Sequence, residues 1–311
     1  MPAETEPSLL PNEPRVLDVP RQQALTERYL LPARNQLDAL FRDLRARLDP
    51  RLSQAQPSKW GKPYPLGQCL ELSLAVKRAL RQLDPRHLSG AAAQGHAALA
   101  SFLQQGGQMH QVWGDLRGNY FQNAFLAGTL YIDVANDSVD ASKPPVEILP
   151  LSEARLMPLQ DFQHFARIAS RYWQAELHPN HLLPALAPYY PFVACIPGCG
   201  IRLEADSGYM VLLAQRQCFR SSQRILEAVP LDAGLFHRLK PALAHTPLEL
   251  AGDPIAGRTA ALTACRNFAK ADVLSDARRA ALGAAIAEVN RCWARLEAAR
   301  AAREGANEPR C

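Results

Sequence analysis

The 311-residue sequence holds no apolar run approaching the ~18–20 residues that cross a bilayer, so no membrane-spanning segment is expected. It holds no dense basic run either. Net charge is only +5, and the basic residues sit beside acids, as in "ERYLLPARNQLDALFRDLRARLDPR". That pattern marks a solvated helix face, and nucleic-acid binding, which wants a concentrated basic footprint, is not expected. The "GCG" fragment does not open a helix with the dinucleotide or phosphate-loop pattern, so nucleotide binding has no support. There is no internal repeat. A secretory signal is also missing: the start, "MPAETEPSLLPNEPR", carries acids and prolines where basic and apolar residues would stand. The expectation is a cytoplasmic protein, with non-classical secretion left open. Seven cysteines, an odd number on a long chain, fit reduced thiols better than disulfide staples.

What is present is an ordinary globular composition, 48% hydrophobic and 21% charged. Residues 1 to about 20 are proline-rich and are expected to form a flexible leader. From Arg21 to about Leu48, Leu25, Tyr29, Leu37, Leu40, Phe41, Leu44 and Leu48 recur at helical spacing, with a break suggested at Pro32. "DPRLSQAQPSKWGKPYPLG" predicts a loop, followed by a helix whose positions Leu72, Val76, Leu80 and Leu83 share a face with Cys69. An alanine-rich helix follows. Then "QMHQVWGDLRGNYF" and "GTLYIDVAND" predict two strands, with Leu130, Ile132 and Val134 on one side and Tyr131 and Asp133 on the other. "VEIL" is a candidate short strand. Past a boundary near 150, "LQDFQHFARIASRYWQAEL" predicts an amphipathic helix. The stretch "YYPFVACIPGCGIRLEADSGYMVLLAQRQCF" predicts strands joined by a glycine turn. A long helix from Asp272 to about Glu304 carries Leu274, Leu282, Ile286, Val289, Trp293 and Leu296. Residues 151–311 are thus expected to be a mostly helical region with a short β segment near 190–220.

The feature with chemical content is the single thiol delivered by "KPYPLGQC" to a helix start. Unpaired amides and aligned dipoles at a helix N-terminus favour a thiolate. A nearby imidazolium would favour it further. His110 lies in "MHQVW" and Asp133 in "LYIDVAND"; on neighbouring strands the carboxylate would orient the imidazole. His96, on the alanine-rich helix, is the rival base, and His87 follows Pro85 in a loop. Asp137 and Asn136 compete with Asp133, though both suit the organisation of a turn. The plain alternative is that Cys69 is a small buried hydrophobe opening a core helix.

Gly-x-Cys at a helix head ("GQC"), then histidine with Trp113 following ("HQVW"), then aspartate in "YIDV" resembles the transglutaminase-like core of the papain-type thiol fold. The resemblance covers about Trp60 to Asp140, and "HQVW" carries one residue more than the usual His-x-Trp. It implies an α+β fold, with residues 21–150 as the thiol domain, and acyl chemistry on a protein or peptide substrate: proteolysis, deamidation or cross-linking. The catalytic set it implies is Cys69 as nucleophile, His110 as acid and base, and Asp133 as orienting carboxylate. Gln68, Tyr64 and Trp113 are the candidates for oxyanion or substrate binding, with no metal and no cofactor implied. A catalytically inactive thiol-fold scaffold or adaptor is the alternative.

Two further motifs carry chemically distinctive residues. His178 and His181 in "HPNH", with Cys195 and Cys199 in "CIPGC", are zinc-type ligands at spacings that match no common finger. Cys195 and Cys199 also lack the Cys-x2-Cys spacing of a redox pair. The terminal helix, with Trp293 on its apolar face, is expected to pack on its own domain rather than on a partner.

Overall fold

The structure, a computed structural model, describes residues 8–204, 208–270 and 275–306. Helices outweigh strands, 54% against 15%, and the strand pairs are antiparallel, so the fold is mixed α and β. Two compact units divide between Pro158 and Leu159.

In the first unit, α1 (Val19–Leu25) passes through a π-type turn (Thr26–Leu30) and a 3-10 turn (Leu31–Ala33) into α2 (Arg34–Ala55). The break expected at Pro32 is a change of helical type, because proline removes one backbone donor and the chain compensates by altering its pitch. The loop expected from Asp49 starts later: α2 continues through Pro50 to Ala55. Two short strands, β1 (Ser58–Lys59) and β2 (Lys62–Pro63), pair within the loop that follows. Then come α3 (Cys69–Gln82) and α4 (Gly90–Gln104). Gly95 lets α4 sit against α2, since a Cβ there would lie 2.1 Å from the Gln36 carbonyl oxygen.

The sheet is built from β3 (Met109–Leu116), β4 (Tyr120–Ala127), β5 (Leu130–Asp133), β6 (Glu147–Pro150) and, after a short α5 (Leu151–Ala154), β7 (Leu156–Met157). Its order is β6-β5-β4-β3-β7. Two strands were expected before Asp133 where there are three. Arg117 and Gly118, both at positive φ, turn the chain back, and the Asp115 carboxylate accepts from the Gly118 N–H at 2.7 Å. One face of the sheet meets the helices through Phe125, Ile132, Val134 and Ile148, packed with Leu37, Leu40, Phe41 and Val76. The other face carries Val112, Leu116, Ala124, Leu126 and Tyr131 with Ala154 and Leu156. Residues from 8 onward are not a free leader: Leu10 is buried, and the Asn12 carbonyl accepts from the Trp113 N–H at 2.8 Å. The first seven residues of that expected leader lie outside the described residues.

In the second unit α6 (Phe162–Tyr172), started by the Asp161 side chain, precedes β8 (Glu176–Pro179), β9 (Phe192–Ile196) and β10 (Gly200–Glu204), ordered β10-β9-β8. The strands expected to continue beyond β10 give way to helices α7 (Gly208–Arg216) and α8 (Arg220–Leu226). Then follow α9 (Ala233–Leu239), α10 (Pro254–Phe268) and α11 (Asp276–Ala306). Ile286, Val289 and Trp293 of α11 are buried in the core of this unit, as the spacing predicted, whereas Leu274 lies outside the described residues. The Asn290 side chain bonds the backbone of Leu203, accepting from its N–H at 2.8 Å, and so covers part of the β10 edge.

Candidate functional site

Cys69 is the first residue of α3. Gly67, at φ 74°, turns the chain into the helix while its N–H donates to the Ser138 carbonyl at 2.8 Å. Behind it, the Gln68 side chain donates to the Gln56 carbonyl at 3.0 Å, and Lys59 pairs with Glu71 at 2.7 Å. The approach loop is therefore fixed at several points. The thiol itself is 9% exposed and packs with Leu72 and Ala135, with Leu52 and Tyr64 against that cluster.

The side chain that meets the sulfur is Asn123 of β4, whose Nδ2 lies 3.5 Å from Sγ. The backbone carbonyl of Asn123 in turn accepts from the Ser73 hydroxyl at 3.0 Å, tying α3 to the strand. Burial pushes the Cys69 thiol up from its ordinary value, and the opposing influences of the Asn123 amide and the Lys59 charge do not reverse it. Cys69 is thus held as a neutral thiol, and no imidazole is among the described groups that act on it.

His110 lies elsewhere. Residues paired across an antiparallel ladder share a face, and neighbours along a strand alternate. His110 pairs with Leu126 and shares a face with Val112 and Ala124, whereas Trp113 pairs with Asn123 on the face that looks toward Cys69. The expected base and the expected nucleophile are therefore on opposite faces of the sheet. The His110 ring bonds the backbone of Glu13, its Nε2 has no partner among the described residues, and burial pushes its pKa down. Asp133 is not beside it either, because β4 lies between β3 and β5. The Asp133 carboxylate is fully buried and accepts from Gln122 Nε2 (2.7 Å), the Tyr131 hydroxyl (2.8 Å) and the Ala135 N–H (2.8 Å). Burial nonetheless pushes its pKa up to about 6. The three residues expected as a triad are not brought together.

The expected oxyanion donors are likewise committed. The Tyr64 hydroxyl donates to Asp49 at 2.7 Å, and Gln68 is occupied by Gln56. Trp113 stacks on Phe121 with ring centroids 5.5 Å apart. Asp137 lies in a 3-10 turn (Asn136–Ser138), as expected of a turn residue, and its carboxylate is in addition held by a buried guanidinium. Arg45, 1% exposed, donates to Asp137 through both terminal nitrogens (3.0 and 2.9 Å), to Asp49 (2.8 Å), and to the Val134 carbonyl. Nothing singled out Arg45 beforehand, because it repeats the basic-acidic spacing of its exposed neighbours. Asn123 was also missed; the aromatic alternation of Phe121 and Phe125 around it is the signal that would have placed it on a strand facing the helices.

In the second unit, His181 binds backbone through both ring nitrogens: Nε2 donates to the Leu226 carbonyl at 2.9 Å and Nδ1 accepts from the Leu231 N–H at 3.1 Å. It is a buried, neutral, structural histidine, and neither nitrogen is left to ligate a metal. His178 sits on β8 opposite Val193, and Cys195 on β9 opposite Ile201.

The chemistry available at Cys69 is therefore that of a thiol packed beside an amide, with no imidazole among the described groups that act on it and with the charge of Lys59 outweighed by burial. No known protein-family model, curated protein or solved structure matches the chain.

Proposed function

We propose that this protein is a catalytically silent scaffold or adaptor whose first unit has a transglutaminase-like thiol fold without the catalytic dyad. The single observation that carries the reading is that the sulfur of Cys69 faces the amide of Asn123 where nucleophilic catalysis would need an imidazole. A carboxamide neither accepts a proton at neutral pH nor becomes cationic, so it cannot act as the base, and the weak help its N–H gives a thiolate does not outweigh burial. Acyl transfer or hydrolysis through Cys69, His110 and Asp133 would require residues from opposite faces of a packed sheet to meet. On this reading the helix, the sheet and the thiol are retained as architecture, and function lies in surfaces that bind other proteins.

The test is alkylation of the native protein by iodoacetamide across a pH series, read peptide by peptide with mass spectrometry. Cys69 is expected to label far more slowly than the exposed Cys218, with no rate plateau near neutral pH. Labelling of Cys69 at pH 6 faster than that of Cys218 would overturn the reading.

A further inference from the structure

Two loops enclose Cys69, the segment 57–68 before α3 and the segment 134–145 after β5, and both are anchored by the same buried guanidinium. Arg45 grips the second loop through Asp137 and the Val134 carbonyl. It grips the first only indirectly, through Asp49, which accepts the Tyr64 hydroxyl at 2.7 Å. Tyr64 is also the residue of the first loop that packs on the cluster of Cys69, Leu72 and Ala135. Its ring packs on that cluster while its hydroxyl is held by Asp49.

Resting on the reading of Cys69 as a silent thiol, we infer that Tyr64 is a latch: the Tyr64–Asp49–Arg45–Asp137 chain holds the 57–68 loop closed over Cys69, and releasing the hydroxyl from Asp49 uncovers the thiol without unfolding the unit. The asymmetry of the anchoring supports this. The 134–145 loop is fixed by a two-pronged guanidinium–carboxylate pair with a backbone carbonyl in addition, a geometry that opens reluctantly. The 57–68 loop is also held by the Gly67 to Ser138 bond, by the Gln68 side chain on the Gln56 carbonyl and by the Lys59–Glu71 pair, but Tyr64 is its residue that packs on the Cys69 cluster. A group that competed for Asp49 or for the Tyr64 hydroxyl would thus change the accessibility of Cys69.

Tyr64→Phe isolates the tether, since it keeps the ring and removes only the hydroxyl. Native alkylation of Cys69 is expected to accelerate about 10- to 100-fold, the change in opening equilibrium that loss of one hydrogen bond to a charged acceptor produces. Amide hydrogen exchange in β3 and β4 is expected to stay at the wild-type rate. Labelling at the wild-type rate overturns the latch, and so does acceleration accompanied by faster exchange in β3 and β4, which would mean general loosening. The pH midpoint of labelling in the variant reports separately on the silent-thiol reading. A midpoint at an ordinary thiol value sustains it, and a midpoint well below neutrality refutes it while leaving the latch intact.

Discussion

The side-chain amide of Asn123 on β4 points at the sulfur of Cys69 on α3 from 3.5 Å, and the same residue's carbonyl takes the Ser73 hydroxyl one turn further along the helix. Asn123 thereby fixes where α3 begins relative to the sheet and sets the electrostatic character of the thiol. An amide dipole stabilises a sulfur weakly; an imidazolium does so strongly.

Asn123→His places an ionisable ring at that position. The thiolate and imidazolium would stabilise each other, so the Cys69 thiol is expected to ionise at least about one pH unit lower than in the wild type. Ultraviolet thiolate absorbance during a pH titration, with Cys69→Ser in the same background to assign the signal, measures it. An unchanged titration would show that the ring cannot be accommodated as a cation beside the sulfur.

Arg45 is the next test, because its charge is buried with two carboxylate partners. Arg45→Ala leaves Asp137, 14% exposed, and the Val134 carbonyl without their donor. Removing one side of a buried pair costs about 3–5 kcal/mol, because the remaining charge keeps its desolvation penalty. The double variant Arg45→Met with Asp137→Leu removes the more buried pair, leaves only the more exposed Asp49, and is expected to lose much less. Urea unfolding followed by circular dichroism compares them, and equal losses would argue against a charge-based role.

The contrast between Arg45 and its neighbours explains what was legible in the sequence. Asp38 with Arg42 and Asp43 with Arg47 are i,i+4 pairs on the exposed side of α2, as the interleaved charges implied. Arg45 with Asp49 has the same spacing on the buried side. Helical periodicity gives the angle between the two pairs, but not that a loop from beyond β5 arrives with a carboxylate to receive the inward one. The start of α3 was readable because Pro63, Pro65 and Gly67 interrupt the chain just before Leu72 and Val76 begin their helical spacing. The core of α11 was readable for the same kind of reason. The hairpin between β3 and β4 was not, because its turn is Arg-Gly rather than the usual Asn-Gly, and Gln122 and Asn123 blur the apolar alternation. That one missed strand moved His110 and Asp133 apart. Residue order survives such an insertion, and neighbourhood does not.

Asp133 provides a pH signature. Its pKa rises from 3.8 to about 6 on folding, so between those values the folded protein holds the proton more tightly than the unfolded chain. Its contribution is most favourable below the lower value and declines as pH rises toward and through the upper one. The span corresponds to about 3 kcal/mol at most, with the lowering by the three donors around the carboxylate already included. In Asp133→Asn this pH dependence is expected to vanish. Urea midpoints for wild type and variant between pH 4 and 7 should therefore converge on acidification. Parallel curves would show that the carboxylate is not protonated on folding.

His181 gives the opposite sign in the second unit. Burial lowers its pKa below 6.5, so the unfolded chain binds the proton first as pH falls. Stability associated with the ring is complete above that ordinary value and is lost as pH drops toward the lower folded one. The bond at risk is specific: a proton on Nδ1 removes the acceptor of the Leu231 N–H, whereas Nε2 continues to donate to Leu226. His181→Ala removes both partners at any pH and is expected to cost about 2–4 kcal/mol through two unsatisfied backbone groups and a cavity. Hydrogen exchange at the Leu231 amide separates these effects. Its protection relative to the intrinsic exchange rate at each pH should fall in the wild type on acidification below the ordinary histidine pKa and be low throughout in the alanine variant, while the protection of the Leu203 amide, held by Asn290, stays constant.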